Sequence, residues 1–128
     1  RRIKLLANTI IKKYDGIENL LHLPKDRLRE ELLKLPGIGF KTADVFMAYC
    51  VGKDSFPIDT NIKRVLRRIG IAKSKSYEKM QEEVLKLVPY GKRARFHELL
   101  LRLGRDFCKA RNPLCEKCPI SKHCAKNL

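Results

Sequence analysis

Leu35-Pro36-Gly37-Ile38-Gly39-Phe40-Lys41-Thr42-Ala43 decides how the chain around it folds. Before it, Leu28, Leu32 and Leu35 recur at helical spacing, and after it a second helical pattern runs from about 40 to 51. Pro36 and the two glycines punctuate the join, so the segment reads as a tight turn between two helices. Gly37 and Gly39 are expected to allow positive φ and to let another backbone approach. The amides of this turn, and of the first turn of the following helix, have no intrahelical acceptor. They point outward at the positive end of a helix dipole, which suits a phosphate oxygen. Amides that hold phosphate do not read base sequence. An ordinary helix–helix turn with glycine at a helix end is the plainer alternative.

The same period governs the rest of the chain. Ile3, Leu6, Ile10 and Tyr14 repeat at three- and four-residue spacing, and Asp15-Gly16 stops that run. Pro24 opens the short charged helix that carries Leu28. A loop with Gly52 and Pro57 leads to Asp59, which stands where an N-cap belongs before a helix over 61–69, with Gly70 as its stop. Ser76 is placed to cap the next helix, whose apolar face is Met80, Val84, Leu87 and Val88. A last long helix over 92–107 turns Phe96, Leu99, Leu100 and Leu103 inward. Cys50, in an apolar helix segment, reads as a buried small hydrophobe, and His97 as a packed or hydrogen-bonded histidine. No stretch alternates with period two and no repeat or low-complexity linker interrupts the pattern, so the fold class is all-α.

The chain has 128 residues, enough for one domain, and 44% of them are hydrophobic, which argues against disorder. Its net charge is +15, from 29 Lys and Arg against 14 Asp and Glu spread along the chain. Such a field attracts a polyanion; nucleic acid is the favoured partner and an anionic membrane surface the second choice. No apolar run approaches the ~20 residues of a membrane span. The basic, amphipathic start lacks the apolar run and cleavage site of a secretory signal. It also holds an Asp and no Ser, which speaks against a mitochondrial presequence.

Four of the five cysteines crowd into Cys108-x6-Cys115-x2-Cys118-x5-Cys124. Four soft ligands this close suit an iron–sulfur cluster or a tetrahedral zinc, with a disulfide pair as third choice. Ligation would fix the intervening loop and present Lys109 and Arg111 to a phosphate backbone. Lys41, in the first turn of its helix, carries a charge that the helix dipole disfavours. That makes it a candidate amine nucleophile, set against its being one more surface lysine. Asp59 is an N-cap by position, and a carboxylate held at a helix start is oriented to stabilise a developing cation.

Three of these features together resemble the endonuclease III family of helix-hairpin-helix DNA glycosylases. The string from Leu35 to Ala43 is similar to the family's hairpin consensus. Asp59 follows Lys41 by eighteen residues, inside Ile58-Asp59-Thr60-Asn61-Ile62, with Asn61 where the family usually has His. The cysteine spacing matches the family's iron–sulfur signature. The resemblance implies a helix-hairpin-helix glycosylase lobe over 1–107, incomplete at its N-terminus, with the hairpin at about 28–51. An iron–sulfur loop over 108–128 follows, in which Cys108, Cys115, Cys118 and Cys124 hold a [4Fe–4S] cluster, zinc being less favoured. It implies DNA contacts from Gly37, Ile38, Gly39, Lys41, Thr42, Lys109 and Arg111.

The implied chemistry is base-excision repair. Lys41 attacks C1′ of a damaged nucleotide, Asp59 stabilises the oxocarbenium-like sugar and handles protons, and β-elimination cuts the strand. Oxidised pyrimidines are the expected bases. A monofunctional mismatch thymine or uracil glycosylase and a non-catalytic DNA-binding module are the alternatives. Lys41 speaks against the adenine-removing branch. The implied partner is duplex DNA with a damaged base or abasic site, bound by a monomer in the cytoplasm or nucleoid, or in the nucleus of a eukaryote. Gly104-Arg105 also fits the family pattern, for close packing and a surface charge. The family's members begin earlier, so the sequence reads as a fragment or truncated relative. Such a piece is expected to expose apolar surface and to be catalytically impaired when isolated.

Overall fold

The computed structural model describes residues 1–51 and 55–128; Gly52, assigned above to a loop, lies outside the described residues. Among the described residues every regular element is helical, as the apolar period predicts. The chain divides into two compact units, Arg1–Ser55 and Phe56–Leu128, each with its own core.

The first unit holds α1 (Arg2–Tyr14), α2 (Ile17–Leu21), α3 (Lys25–Leu33) and α4 (Phe40–Val45), which continues as a π-helical turn over Phe46–Cys50. Asp15 ends α1 in the left-handed region with φ 58°, its amide donating to the Ile11 carbonyl. α2 has no counterpart in the sequence reading; five residues are too few for apolar periodicity to register. The core is Leu20, Leu28, Leu32, Leu35, Ala43 and Met47, with Leu6, Ile10 and Tyr14 packed against it. Ile3, the first residue of the α1 stripe, is 84% exposed. Cys50 is exposed as well, contrary to its reading as a buried hydrophobe. It lies in the π turn, where i→i+5 bonding shifts the register that keeps Met47 inside.

The second unit holds α5 (Thr60–Ile69), α6 (Tyr77–Leu87) and α7 (Arg93–Asp106), then single 3₁₀ turns at Cys115–Lys117 and Ser121–His123. Its core comprises Phe56, Ile58, Ile62, Val65, Leu66, Ala72, Met80, Val84, Val88 and Leu100. α5 and α7 approach closely at Gly104, where a Cβ would stand 3.2 Å from Val65 Cγ2. Gly104 is thus there for packing, as expected.

Three details of the sequence reading change in this unit. Leu87 and Leu99 are exposed rather than inward. Leu100 takes the core position and its neighbour Leu99 is turned about 100° away. Leu87 closes α6, and the chain straightens at Val88 to bury that side chain instead. Ser76 occupies the N-cap position of α6 without a side-chain cap bond. The Glu83 carboxylate accepts the amides of Lys73 and Ser74 ahead of it, and Ser74 Oγ accepts the Ser76 amide.

Candidate functional site

The hairpin turn is built from α3 and α4. Gly37 has φ 78°, the left-handed value that favours glycine. Gly39 is extended at φ −102°, ψ −176°, as the N-cap of α4, so the expected positive φ holds at one glycine and not the other. A Cβ added at either would meet nothing within 4 Å, so the turn's outer surface is open. The Ile38 amide donates to the Leu35 carbonyl, and its side chain packs against the core. Ile38 therefore closes the turn and its amide is not available as a phosphate donor. The amides of Gly37, Gly39, Lys41 and Thr42 have no acceptor among the described residues. Lys41 is exposed in the first turn of α4.

A buried carboxylate that sequence reasoning missed holds this turn in shape. Asp44 is 0% exposed. Arg29 of α3 grips both its oxygens, Nε to Oδ1 at 3.0 Å and Nη2 to Oδ2 at 3.3 Å, and Ser55 Oγ donates at 2.8 Å. The Arg29 guanidinium also lies 5.5 Å from the Phe40 ring centroid. Bidentate, charge-assisted bonding of this kind fixes direction as well as distance, so the two hairpin helices are locked on either side of the turn. The available signal was Asp44's place beside Ala43 and one turn before Met47, on the inward stripe. A second cluster anchors α1 onto α3. Glu31 accepts hydrogen bonds from Tyr14, Lys13 and Lys34, and these bonds hold its carboxyl down at about 2.

Asp59 is a true N-cap. Its Oδ1 accepts the Ile62 amide at 2.7 Å at the start of α5. The segment leading to it is pinned by side chains from two other helices. Gln81 Nε2 donates to the Phe56 carbonyl at 2.8 Å, His97 Nε2 donates to the Pro57 carbonyl at 2.9 Å, and Tyr77 Oη accepts the Ile58 amide at 3.1 Å. Burial pushes the His97 imidazole below its ordinary value, against the opposing pull of the Pro57 carbonyl and of Asp59. Its ring meets Phe56 edge-on at 5.2 Å. The sequence reading of His97 as packed and hydrogen-bonded holds, and Tyr77 and Gln81 join it in fixing the approach to Asp59.

The other end of α5 meets the cysteine segment. Arg64 donates to the carbonyls of Cys108 at 3.0 Å and Gly104 at 3.2 Å. Arg68 donates to the carbonyls of Lys109 at 2.6 Å and Ala110 at 3.2 Å. The Asn127 amide donates to the Arg68 carbonyl, and Gly70, at φ 91°, sits so close that a Cβ would fall 2.9 Å from Ala125 Cβ. Lys109 and Arg111 are both exposed. Cys108, Cys115, Cys118 and Cys124 are free thiols that line one cavity, walled by Ile69, Leu103, Phe107 and Ile120. Four thiols around one cavity are a soft donor set that fits an iron–sulfur cluster.

Residues 108–124 match the family model described as the iron-sulfur binding domain of endonuclease III. Endonuclease III of Thermotoga maritima is 36% identical over 123 residues, an alignment that covers 96% of this chain and 54% of the relative. Over these residues the chain is similar to the endonuclease III family. The cysteine segment is accordingly an iron–sulfur site. The family fold is matched as well. A trapped endonuclease III–DNA covalent intermediate superposes with a TM-score of 0.83 at 33% identity, covering 98% of this chain and 56% of that one. A thermostable thymine-DNA glycosylase superposes at 0.67 with 25% identity, covering 98% and 76%. The chain thus spans about half the length of the endonuclease III relatives it matches. No helix among the described residues is long and apolar enough to cross a membrane.

Proposed function

We propose that the chain supplies the DNA-gripping and lyase elements of a base-excision glycosylase. Residues 1–107 form the glycosylase region and 108–128 the cluster loop. The hairpin amides of Gly37, Gly39, Lys41 and Thr42 hold a phosphate of duplex DNA, and Lys109 and Arg111 hold the backbone elsewhere. Lys41, as the neutral amine, attacks C1′ of a flipped, damaged nucleotide, with an oxidised pyrimidine the expected base. The C1′–N bond breaks and the base leaves with a proton. The nitrogen lone pair of the resulting aminal then breaks the C1′–O4′ bond, O4′ takes up a proton and a ring-opened Schiff base forms. Loss of a C2′ proton from it drives β-elimination, which expels the 3′ phosphate. Asp59 stabilises positive charge on the sugar as the base departs. Cys108, Cys115, Cys118 and Cys124 would hold a [4Fe–4S] cluster, whose contribution is to fold the loop that carries Lys109 and Arg111. The protein acts as a monomer in a reducing, intracellular compartment.

The observation that carries this reading is the state of the two reactive groups. The Lys41 amine is exposed and makes no ion pair or side-chain hydrogen bond among the described residues, while the Asp59 carboxylate is held by its cap bond at 2.7 Å. The test is borohydride trapping on duplex DNA with an abasic site. We expect a covalent adduct that vanishes in Lys41→Ala. An adduct that survives in the variant would move the nucleophile to another amine. Absence of an adduct, both here and in a chain extended to the relatives' length, would leave a monofunctional glycosylase or a DNA-binding module.

A further inference from the structure

The hairpin and the cysteine segment leave one face of α5 unexplained. Arg64 and Arg68 are committed to carbonyls of α7 and the cysteine segment. The neighbouring cations are not. Lys63 and Arg67 of α5, and Lys73 just beyond it, line an open groove that has Thr60, Arg68 and Asn127 on its other sides. All three side chains are exposed, and none makes an ion pair or side-chain hydrogen bond among the described residues. No Asp or Glu lines the groove. Glu83 bonds the amide of Lys73 rather than its ammonium.

Some cations elsewhere in the chain are paired with carboxylates. Lys13 and Lys34 meet Glu31, Arg29 meets Asp44, and Arg102 meets Glu98. Three unpaired cations in one concavity repel one another, and a bound polyanion would relieve that repulsion. Thr60, Lys63 and Arg67 fall at i, i+3 and i+7 on one face of α5, spanning roughly 10 Å at ~1.5 Å per residue. That length covers about three phosphates at an axial spacing of ~3.4 Å per strand. A regularly charged polymer fits this stripe better than a single small anion. The stripe begins next to Asp59. At its other end Arg68 holds the carbonyl of Lys109, so the groove adjoins the loop whose cations also face solvent.

We propose that this groove holds the phosphodiester backbone of the DNA strand leading away from Asp59, through Lys63, Arg67 and Lys73. The contact reads no bases, and it rests on the DNA-repair reading above.

The test is the salt dependence of binding to duplex DNA that carries a stable abasic-site analogue, followed by fluorescence anisotropy. The Lys63→Gln/Arg67→Gln/Lys73→Gln variant is compared with Lys4→Gln/Lys79→Gln/Lys86→Gln, which removes the same charge from exposed sites outside the groove. Each released phosphate contact should lower the slope of log affinity against log salt by about 0.9. We expect the groove variant to lose roughly 2–3 from the slope and the comparison variant to keep it. Equal slopes in the two variants would overturn the groove proposal and leave the repair reading intact. A wild type that fails to bind the duplex would instead overturn the repair reading, and the groove with it. Lys73→Glu, outside any helix, guards against a folding artefact, because it should weaken binding while the melting temperature stays unchanged.

Discussion

The two units solve the same problem, positioning a polar group at the start of a helix, by different means. Arg1–Ser55 places its hairpin amides with buried charge: Asp44 and Glu31 are both almost inaccessible, and each is held by cations and hydroxyls. Phe56–Leu128 places Asp59 with an apolar core, in which His97 is the one buried polar residue among those described. Three neutral side chains on backbone groups then fix the approach to Asp59. Ionic locks are directional but collapse when one partner is lost. Apolar packing degrades in proportion to the volume removed. The second unit also ends in a segment with almost no core of its own, for which the proposed ligation by four thiolates would substitute.

That contrast predicts an order of sensitivities. The largest effect is expected from Cys118→Ser. Loss of one ligand should abolish bound iron and the brown colour and open residues 108–128 to protease, because ligation free energy here is folding free energy. Retention of iron and of protease resistance would mean that the segment folds without its fourth thiolate. Leu66→Ala, in the second core, should destabilise by about 3 kcal/mol in urea melts. Arg29→Ala should cost about the same by stranding Asp44 without its guanidinium. The two differ on repair: Arg29→Met with Asp44→Leu should regain most of the stability while loosening the hairpin turn. If the double variant stays as unstable as Arg29→Ala, the ionic account of the first unit fails.

Gly70→Ala should cost about 1–3 kcal/mol from its left-handed backbone and should displace the chain at Ala125. A crystal structure with Ala125 unmoved would contradict this. The smallest and most discriminating effect is acid. His97 sits below its ordinary value of 6.5 when folded. Its stabilisation is therefore full above that pH and is lost as pH falls through the lower folded value. Glu31 falls from 4.5 to about 2 in the fold, so its contribution is full above 4.5 and is lost as pH drops toward 2. Hydrogen exchange measured separately on the two units should show the second weakening first on acidification. The reverse order would undo the comparison.

How much of this was legible in the sequence depended on the kind of interaction. Period and punctuation placed α1, α3, α5, the hairpin turn and the left-handed stops at Asp15 and Gly70, because those depend on residues a few positions apart. The four cysteines and the Asp59 cap were legible for the same reason. The exposure of Cys50, Leu87 and Leu99 was not, since which of two adjacent apolar residues turns inward is settled by the surface packed against them. Nor was the closing of the turn by the Ile38 amide.

Pairings between residues far apart in the sequence were the least visible. Arg29 with Asp44 is separated by 15 residues, Pro57 with His97 by 40, and Arg68 with Ala110 by 42. By itself the sequence determined the all-α class, the hairpin, the cap and the grouping of four cysteines in one short segment. These rest on local backbone chemistry and fixed spacing. Only the tertiary structure decided which charges are buried locks and which are unpaired. A lysine or arginine carries the same charge in every context, and its role depends on what the fold brings within about 3 Å of it.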